Sequence, residues 1–192
     1  MQHLLAVLYT DAALRQRFSI APESVAEEFG IDAAAARQLA DLPSAQVGGF
    51  ARSLLRKRMN EVGRLLPATS RVLGARFAPL FESHAAQFQP QGLRRHFDDA
   101  VAFAAFLSRS QDIVVREADV ARYEVLRLRF RQGRVWPLLA MFRTDPRDAA
   151  TGGAGTGGNR WLLACWFRFG GRVRHVAIRL PRVWKGGSGL PA

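Results

Sequence analysis

The stretch WLLACWFRFGGRVRHVAIRL, residues Trp161 to Leu180, decides the fold that we predict for this chain. Branched, aromatic and small apolar residues dominate both of its halves, which is typical of β-strands. Gly170 and Gly171 stand between the halves and can adopt the positive φ angles of a two-residue hairpin turn. The pattern therefore predicts an antiparallel hairpin in which Trp161 pairs with Leu180, and the rest of the register follows from that pair.

The two faces of this hairpin are predicted to differ. One face carries Leu163 and Cys165, and we expect it to pack on helices, with Cys165 as a buried, inert thiol. The other face carries Trp166, Arg168 and His175. This second face is an aromatic and basic surface, half of it apolar, and for Trp166 an exposed interface position and a buried position both stay open.

A third strand is predicted at Leu138–Arg143. Pro137 lacks an amide donor, so this strand should begin there and lie at an edge of the sheet. The glycine-rich residues 151–159 are predicted to be a flexible connector, and residues 186–192 a disordered tail.

The first 125 residues carry the 3.6-residue periodicity of helices. Asp11 and Asp32 are predicted N-caps, and Pro22 and Gly30 are predicted to begin and end one helix. The predicted helices are 3–9, 12–18, 22–29, 33–40, 45–66, 70–88 with a break near Pro79, 91–108 and 117–130. The chain is therefore predicted to be α+β, with an N-terminal helical bundle (1–125) and a small C-terminal three-stranded antiparallel sheet (126–185).

The basic charge is concentrated at the end of the chain. The 192 residues include 28 Lys and Arg against 16 Asp and Glu, a formal net charge of +12. Residues 126–192 hold 13 of the basic residues and two acids, Asp145 and Asp148. A basic lobe of this kind suits an acidic partner. A single cysteine, no basic leader and no apolar run of about 20 residues predict a cytoplasmic protein that spans no membrane.

No catalytic or metal-ligating residue is predicted. His84 and His96 are twelve residues apart and have no paired-histidine or cysteine motif beside them. Asp98 and Asp99 fall in an early helical turn, where the helix dipole favours acids, and we expect both to be solvated. Residues 152–158 lack the Gly-Lys-Ser/Thr ending of a phosphate loop. The residues therefore favour a protein that is not an enzyme.

Nucleic-acid binding is the alternative. Residues 22–40 fit a helix-turn-helix pattern, but the would-be recognition helix begins with four alanines, Ala33 to Ala36. Five acids and one base, Arg37, between Pro22 and Asp41 would be repelled by phosphates. We interpret this segment as a packed helical pair, and a nucleic-acid-binding regulator stays open through other basic residues.

An extended acidic peptide is the partner that we predict for the basic lobe. An edge strand can accept a peptide as an additional strand, and guanidinium groups around it attract carboxylates. The predicted peptide-binding residues are Leu138, Ala140, Phe142, Arg143, Trp166, Arg168, Arg172, Arg174, His175 and Arg179.

Several segments carry a family resemblance. They are LRQRF (14–18), EEFG (27–30), FARSLLRKR (50–58), RVLG (71–74), DVARYE (119–124) and VRHVAIRLP (173–181). In this order they resemble the small helical proteins, often labelled DNA-binding, that accompany multinuclear non-haem iron-dependent oxidative enzymes. They are especially similar to the companion domain fused behind such an enzyme.

The resemblance implies a non-catalytic partner subunit. In that family a barrel-type iron enzyme oxidises a ribosomally made peptide, and the companion protein binds the enzyme and presents the leader of the precursor peptide. The iron ligands belong to the barrel, so the resemblance implies no cofactor in this chain. We place leader binding in the β lobe (126–185) and enzyme docking in the helical domain (1–125).

Overall fold

A computed structural model describes residues 2–40, 44–133, 137–150, 161–169 and 172–180. The predicted turn at Gly170 and Gly171, the connector 151–159 and the tail 186–192 lie outside these residues. The described chain begins with helices and ends with a three-stranded antiparallel sheet, which confirms the predicted α+β fold.

The described residues form ten α-helices. These are α1 (Gln2–Thr10), α2 (Ala12–Ile20), α3 (Pro22–Glu28), α4 (Ala33–Ala40), α5 (Ser44–Leu65), α6 (Pro67–Leu73), α7 (Phe77–Ala85), α8 (Arg95–Arg109), α9 (Val115–Arg131) and α10 (Pro146–Ala150). The last of these was not predicted. No helix in this part of the chain is long and apolar enough to cross a membrane.

The sheet contains β1 (Leu138–Phe142), β2 (Trp161–Phe169) and β3 (Arg172–Leu180), in the order β1-β2-β3. Both neighbouring pairs are antiparallel. The register of β2 and β3 is the predicted one, with Trp161 opposite Leu180. β1 follows Pro137 and lies at an edge, as predicted.

Side-chain caps set two helix starts where the sequence predicted them. Oδ1 of Asp11 accepts a hydrogen bond from the Leu14 amide at 2.9 Å. Oδ1 of Asp32 accepts one from the Ala35 amide at 2.8 Å. Each bond satisfies an amide of the first turn, which has no partner within the helix.

The predicted break or new helix start near Pro79 corresponds to the start of α7 at Phe77. α6 ends at Gly74, whose φ is +54°, and a 3-10 turn (Gly74–Arg76) leads into α7. Glycine suits this left-handed φ because it has no Cβ. Pro79 lies in the first turn of α7, where its missing N–H removes no helical hydrogen bond.

The chain divides into two compact units. The first unit comprises Met1–Val62 and Ala78–Asp99, and the second comprises Gly63–Phe77 and Ala100–Ala192. These units do not coincide with the predicted lobes, because α6 and α9 belong with the sheet.

In the first unit, a buried apolar cluster joins α1 to α4. Its members are Leu4, Leu8, Leu14, Val25, Ala26 and Ala36. The predicted helix-turn-helix segment is thus a packed pair, α3 and α4. Arg37 on α4 lies 3.1 Å from the carboxylate of Glu23 on α3, so its charge is already matched.

In the second unit, carboxylates of α9 bind backbone amides of neighbouring elements. Glu124 accepts bonds from the amides of Ala68 at 2.9 Å and Thr69 at 2.8 Å, in the first turn of α6. Asp119 accepts bonds from the amide and the hydroxyl of Thr144, just after β1, at 2.8 and 3.0 Å. Helix α9 therefore holds both α6 and the end of β1.

Candidate functional site

The two faces of the sheet are the reverse of the prediction. Leu162, Ala164 and Trp166 are buried, and Trp166 keeps only 2% of its surface exposed. Leu163 and Cys165, on the other face, are only partly buried. The expectation that the face of Leu163 and Cys165 is the one that packs on the helices is therefore wrong.

Small side chains explain which face the helix covers. Ala140, Ala164 and Ala177 are neighbours in one row across the three strands. Tyr123 and Leu126 of α9 pack against the cluster that contains this row. Three methyl groups leave space for these larger side chains, so the helix lies close to this face.

Four predicted peptide-binding residues belong to this packed layer. Ala140, Phe142 and Trp166 are core members, and Leu138 packs against them. Their side chains stabilise the sheet beneath α9. A peptide could contact the three core side chains only if α9 moved away.

Arg168 is exposed but interacts with the end of α9. Its Nη2 donates to the carbonyl oxygens of Phe130 at 3.4 Å and Arg131 at 3.5 Å. Its guanidinium also lies 5.8 Å from the centre of the Phe130 ring. A cation at the C-terminus of a helix is stabilised by the helix dipole. Arg168 therefore has a structural role at this position.

Arg179 is paired with two acids. Its Nε lies 2.8 Å from Asp145, and its Nη2 lies 2.7 Å from Asp148. Arg147 binds the same Asp145 carboxylate at 2.8 Å. Burial raises the pKa of Asp145, but the bonds from Arg147 and Arg179 outweigh burial and lower the pKa to about 2. The only two acids of the basic C-terminal segment thus lie beside Arg179.

His175 belongs to an aromatic group with Tyr123 and Trp166. The Tyr123 hydroxyl lies 3.3 Å from Nε2 of His175, and the His175 and Trp166 rings are 4.9 Å apart. Desolvation, assisted by the charges of Arg147 and Arg127, lowers the pKa of His175. Its imidazole is therefore neutral at pH 7, and it adds no positive charge to the surface.

The remaining predicted arginines are less constrained. Arg143 and Arg174 are exposed. The backbone of Arg172 pairs with Phe169, but its side chain lies outside the described part of the structure. Of the two predicted arginines of β3 with described side chains, both are exposed, and Arg179 is paired with Asp145 and Asp148.

The open face of the sheet is apolar. Leu139, Met141, Val176 and Ile178 are between 47% and 65% exposed. In the register of the sheet, Leu139 and Val176 flank Cys165, so these side chains form a continuous surface. This surface was not predicted, because the sequence pattern assigned that face to the core.

The two edges of the sheet differ as well. At β1, Nη1 of Arg122 donates to the carbonyl oxygen of Met141 at 3.0 Å, so α9 already uses one backbone acceptor of this strand. At β3, no strand pairs with the outer edge in the part of the chain that the structure describes. Among the described residues, the two edges thus differ in that α9 donates a side-chain bond to the backbone of β1.

A buried ionic cluster in the first unit was also missed. Asp99 is 0% exposed, and its carboxylate accepts bonds from Arg58 and from Nε2 of His84 at 2.9 Å. Burial raises the pKa of Asp99, but the bonds from His84 and Arg58 outweigh it and hold the pKa below its usual range. The expectation that Asp99 is solvated is wrong, whereas its neighbour Asp98 is exposed.

Residues 34–109 match the family model of the SCO6045-like, C-terminal domain. This segment runs from α4 to the end of α8 and contains the three residues of the ionic cluster. It covers less than half of the chain, and the description of the family names no activity. No curated protein and no solved structure matches the chain.

Within the described ranges, no group of three or more His, Cys, Asp or Glu side chains is placed to hold a metal ion. The assignment of the iron to a separate enzyme stays a prediction.

Proposed function

We propose that this chain is a non-catalytic partner subunit that binds the leader of a ribosomally made precursor peptide and presents it to a separate iron-dependent oxidative enzyme. Strand β3 carries the peptide-binding part of this proposal, because its outer edge has no strand beside it among the described residues. The enzyme part depends on the family resemblance given above.

The side chains of β3 define the kind of peptide that fits. Arg174, Val176 and Ile178 lie on the open face, whereas His175 and Arg179 lie on the face that α9 covers. An added strand extends both faces with period two. Its open-face side chains would be an acid beside Arg174 and apolar residues beside Val176 and Ile178. The preferred peptide is therefore extended, with an acidic residue beside Arg174 and apolar residues at every second position from it, beside Val176 and Ile178.

A labelled peptide tests strand addition. The probe is an alternating, end-blocked and fluorescein-labelled peptide of about nine residues, titrated with the full chain. It has a central glutamate, valine at every second position on either side of the glutamate, and threonine at the positions between. Two further probes are N-methylated at the odd or at the even positions. In an added strand only alternate amides face β3, so one methylated probe should lose binding and the other should keep it. Equal loss or equal retention would refute strand addition.

A charge reversal tests the role of Arg174. Arg174→Glu should weaken binding of the unmethylated probe about tenfold or more, because a charge-assisted contact becomes repulsive. Arg95→Glu, an exposed position in the first unit, changes the net charge equally and should leave affinity within about twofold. If both variants weaken binding equally, the peptide binds through net charge and not at β3.

The enzyme part is tested by reconstitution. The proposal predicts that a barrel-type iron enzyme and a short acidic peptide are encoded beside this chain. The purified iron enzyme should modify that peptide with this chain present and lose most of its rate without it. An unchanged rate without this chain would contradict the presenting role.

The nucleic-acid alternative makes a different prediction. Binding to random-sequence duplex DNA would weaken steeply with salt, because each phosphate contact releases counterions. The pairing of Arg37 with Glu23 on the helical pair speaks against DNA contact there. Salt-dependent DNA binding with no binding of the peptide probe would favour this alternative.

A further inference from the structure

The first unit contains a cavity of about 570 Å³. Its volume falls within the range of ligand-binding cavities in proteins. Much of its wall is apolar, and the lining includes Ala51, Leu54, Leu55, Ala85, Ala86 and Phe88. The proposed binding of a leader to β3 does not use this cavity, because β3 belongs to the second unit.

A fixed guanidinium lies in the wall of this cavity. Nε and Nη2 of Arg58 donate to the two carboxylate oxygens of Asp99, each at 3.0 Å, and Nη2 also donates to the carbonyl oxygen of Phe88 at 2.9 Å. These three bonds use three of the five N–H donors of an arginine. The Arg58 side chain is 19% exposed, and Nη1 takes part in none of them. The Arg58 side chain is therefore held in place by these bonds, and the donors of Nη1 are not used in them.

The other charged residues of the lining are Arg15, Arg52, Asp11 and Glu82. Asp11 already accepts the amide of Leu14, and Glu82 is exposed. Asp99 already balances the charge of Arg58, and Nη1 of Arg15 donates to the carbonyl oxygen of Leu8 at 2.8 Å. Arg52 is exposed and has no hydrogen bond or ion pair with a described residue. The guanidinium of Arg52 therefore favours an anionic group beside it, and the apolar wall favours an apolar remainder.

We infer that this cavity is a second recognition site, which binds a carboxylate carried by an apolar peptide segment. Arginine suits a carboxylate because its planar fork donates parallel hydrogen bonds. The volume accommodates more than a single side chain, so a short segment of chain can enter. A peptide C-terminus and an internal acidic residue offer the same carboxylate chemistry.

Short synthetic peptides test the inference and separate these two sources. The probes are acetyl-Leu-Leu-Phe with a free carboxylate, the same peptide amidated, and amidated acetyl-Leu-Glu-Leu, each titrated into the full chain by NMR. At least one acidic probe should bind about tenfold more tightly than the amidated Leu-Leu-Phe peptide. Preference for the first identifies a C-terminus, and preference for the third identifies an acidic side chain. Equal binding of all three, or saturable binding of none, overturns the inference.

Matched variants locate the binding. Arg52 and Arg56 are both exposed and lie one turn apart on α5, but only Arg52 is among the lining residues. Arg52→Gln should weaken binding of the acidic probe about tenfold, and Arg56→Gln should not. Ala86→Trp, at an exposed lining position, should fill the cavity and abolish binding. Equal effects at Arg52 and Arg56, or full binding by the Ala86 variant, overturn the site.

The outcome is independent of the proposed leader binding. Arg174→Glu should leave binding of the short probes unchanged, and Arg52→Gln should leave binding of the alternating peptide unchanged. Failure of one site is thereby distinguishable from failure of the other.

Discussion

The carboxylate of Asp99 accepts two parallel hydrogen bonds from the guanidinium of Arg58. Nε donates to Oδ2 and Nη2 donates to Oδ1, each at 3.0 Å. The same carboxylate accepts a bond from Nε2 of His84, whose ring stacks on Phe88. Because a carboxylate accepts hydrogen bonds only, Nε2 carries the proton of the imidazole. One buried acid thus fixes both a cation and a histidine tautomer.

Removal of this acid should be costly. Asp99→Ala leaves Arg58 and His84 without their shared acceptor, and breaking a buried pair in this way costs about 3–5 kcal/mol in the free energy of unfolding. Urea denaturation measures the loss. The exposed neighbour provides the control, since Asp98→Ala should change stability by less than about 0.5 kcal/mol. Similar losses at the two positions would contradict the assigned role of Asp99.

Neighbouring residues of β1 should respond in opposite ways to truncation. Phe142 is 1% exposed beneath α9, and Phe142→Ala should destabilise the chain by about 3–5 kcal/mol. Met141 lies on the open face at 48% exposure, and Met141→Ala should cost less than about 0.5 kcal/mol. Thermal or urea unfolding checks both variants. If Met141→Ala cost more stability than Phe142→Ala, the face of Met141 would be the buried one, as the sequence suggested.

Stability should fall below pH 6.5 because of His175. The pKa of His175 in the folded chain is lowered from the ordinary 6.5 by desolvation and by Arg147 and Arg127. As the pH falls through 6.5, the unfolded chain takes up a proton before the folded chain does, so protonation favours unfolding. The stabilising contribution is present above pH 6.5 and declines below it.

His175→Gln should remove this part of the decline, measured as the urea midpoint between pH 7.5 and 5, while His96→Gln should leave it in place. Asp145 does not interfere in this window. Its pKa is lowered from 3.8 to about 2, so its contribution is lost only as the pH falls below 3.8. A decline that persists in the His175 variant would show that another group causes it.

The carboxylate of Glu124 should stabilise the start of α6. Glu124→Gln keeps the size of the side chain but loses the negative charge that accepts the amides of Ala68 and Thr69. We expect a loss of about 1–3 kcal/mol in the free energy of unfolding. Glu27→Gln, at an exposed position, is the matched control and should be nearly neutral. If Glu124→Gln left the free energy of unfolding unchanged, water would be replacing the carboxylate as the acceptor of these two amides.

The hairpin register was predictable because it depends on local information. Two glycines between two apolar runs predict a two-residue connection, and its length predicts every pair from Trp161 and Leu180 to Phe169 and Arg172. Helix starts at Asp11 and Asp32 were predictable for the same reason. Both signals lie within a few residues of the structure that they determine.

The covered face of the sheet was not predictable from alternation alone. β2 is apolar on both sides, so a period of two does not say which side a helix covers. The size of the side chains carried the missing signal, since Ala140, Ala164 and Ala177 align only when the three strands are paired. The burial of Asp99 could have been predicted from its position, because it lies four and eight residues before the buried Phe103 and Leu107 and so shares their face of the helix.

The row of three alanines also constrains how this chain can vary. Since methyl groups set the depth at which α9 rests on the strands, a bulkier residue at position 140, 164 or 177 would act as a wedge. The wedge would lift α9 and pull Asp119 away from Thr144 and Arg122 away from Met141. In descendants of this chain, a larger side chain at one of these positions should be accompanied by a smaller side chain in place of Tyr123. The sequences of the helix and the sheet are therefore expected to change together.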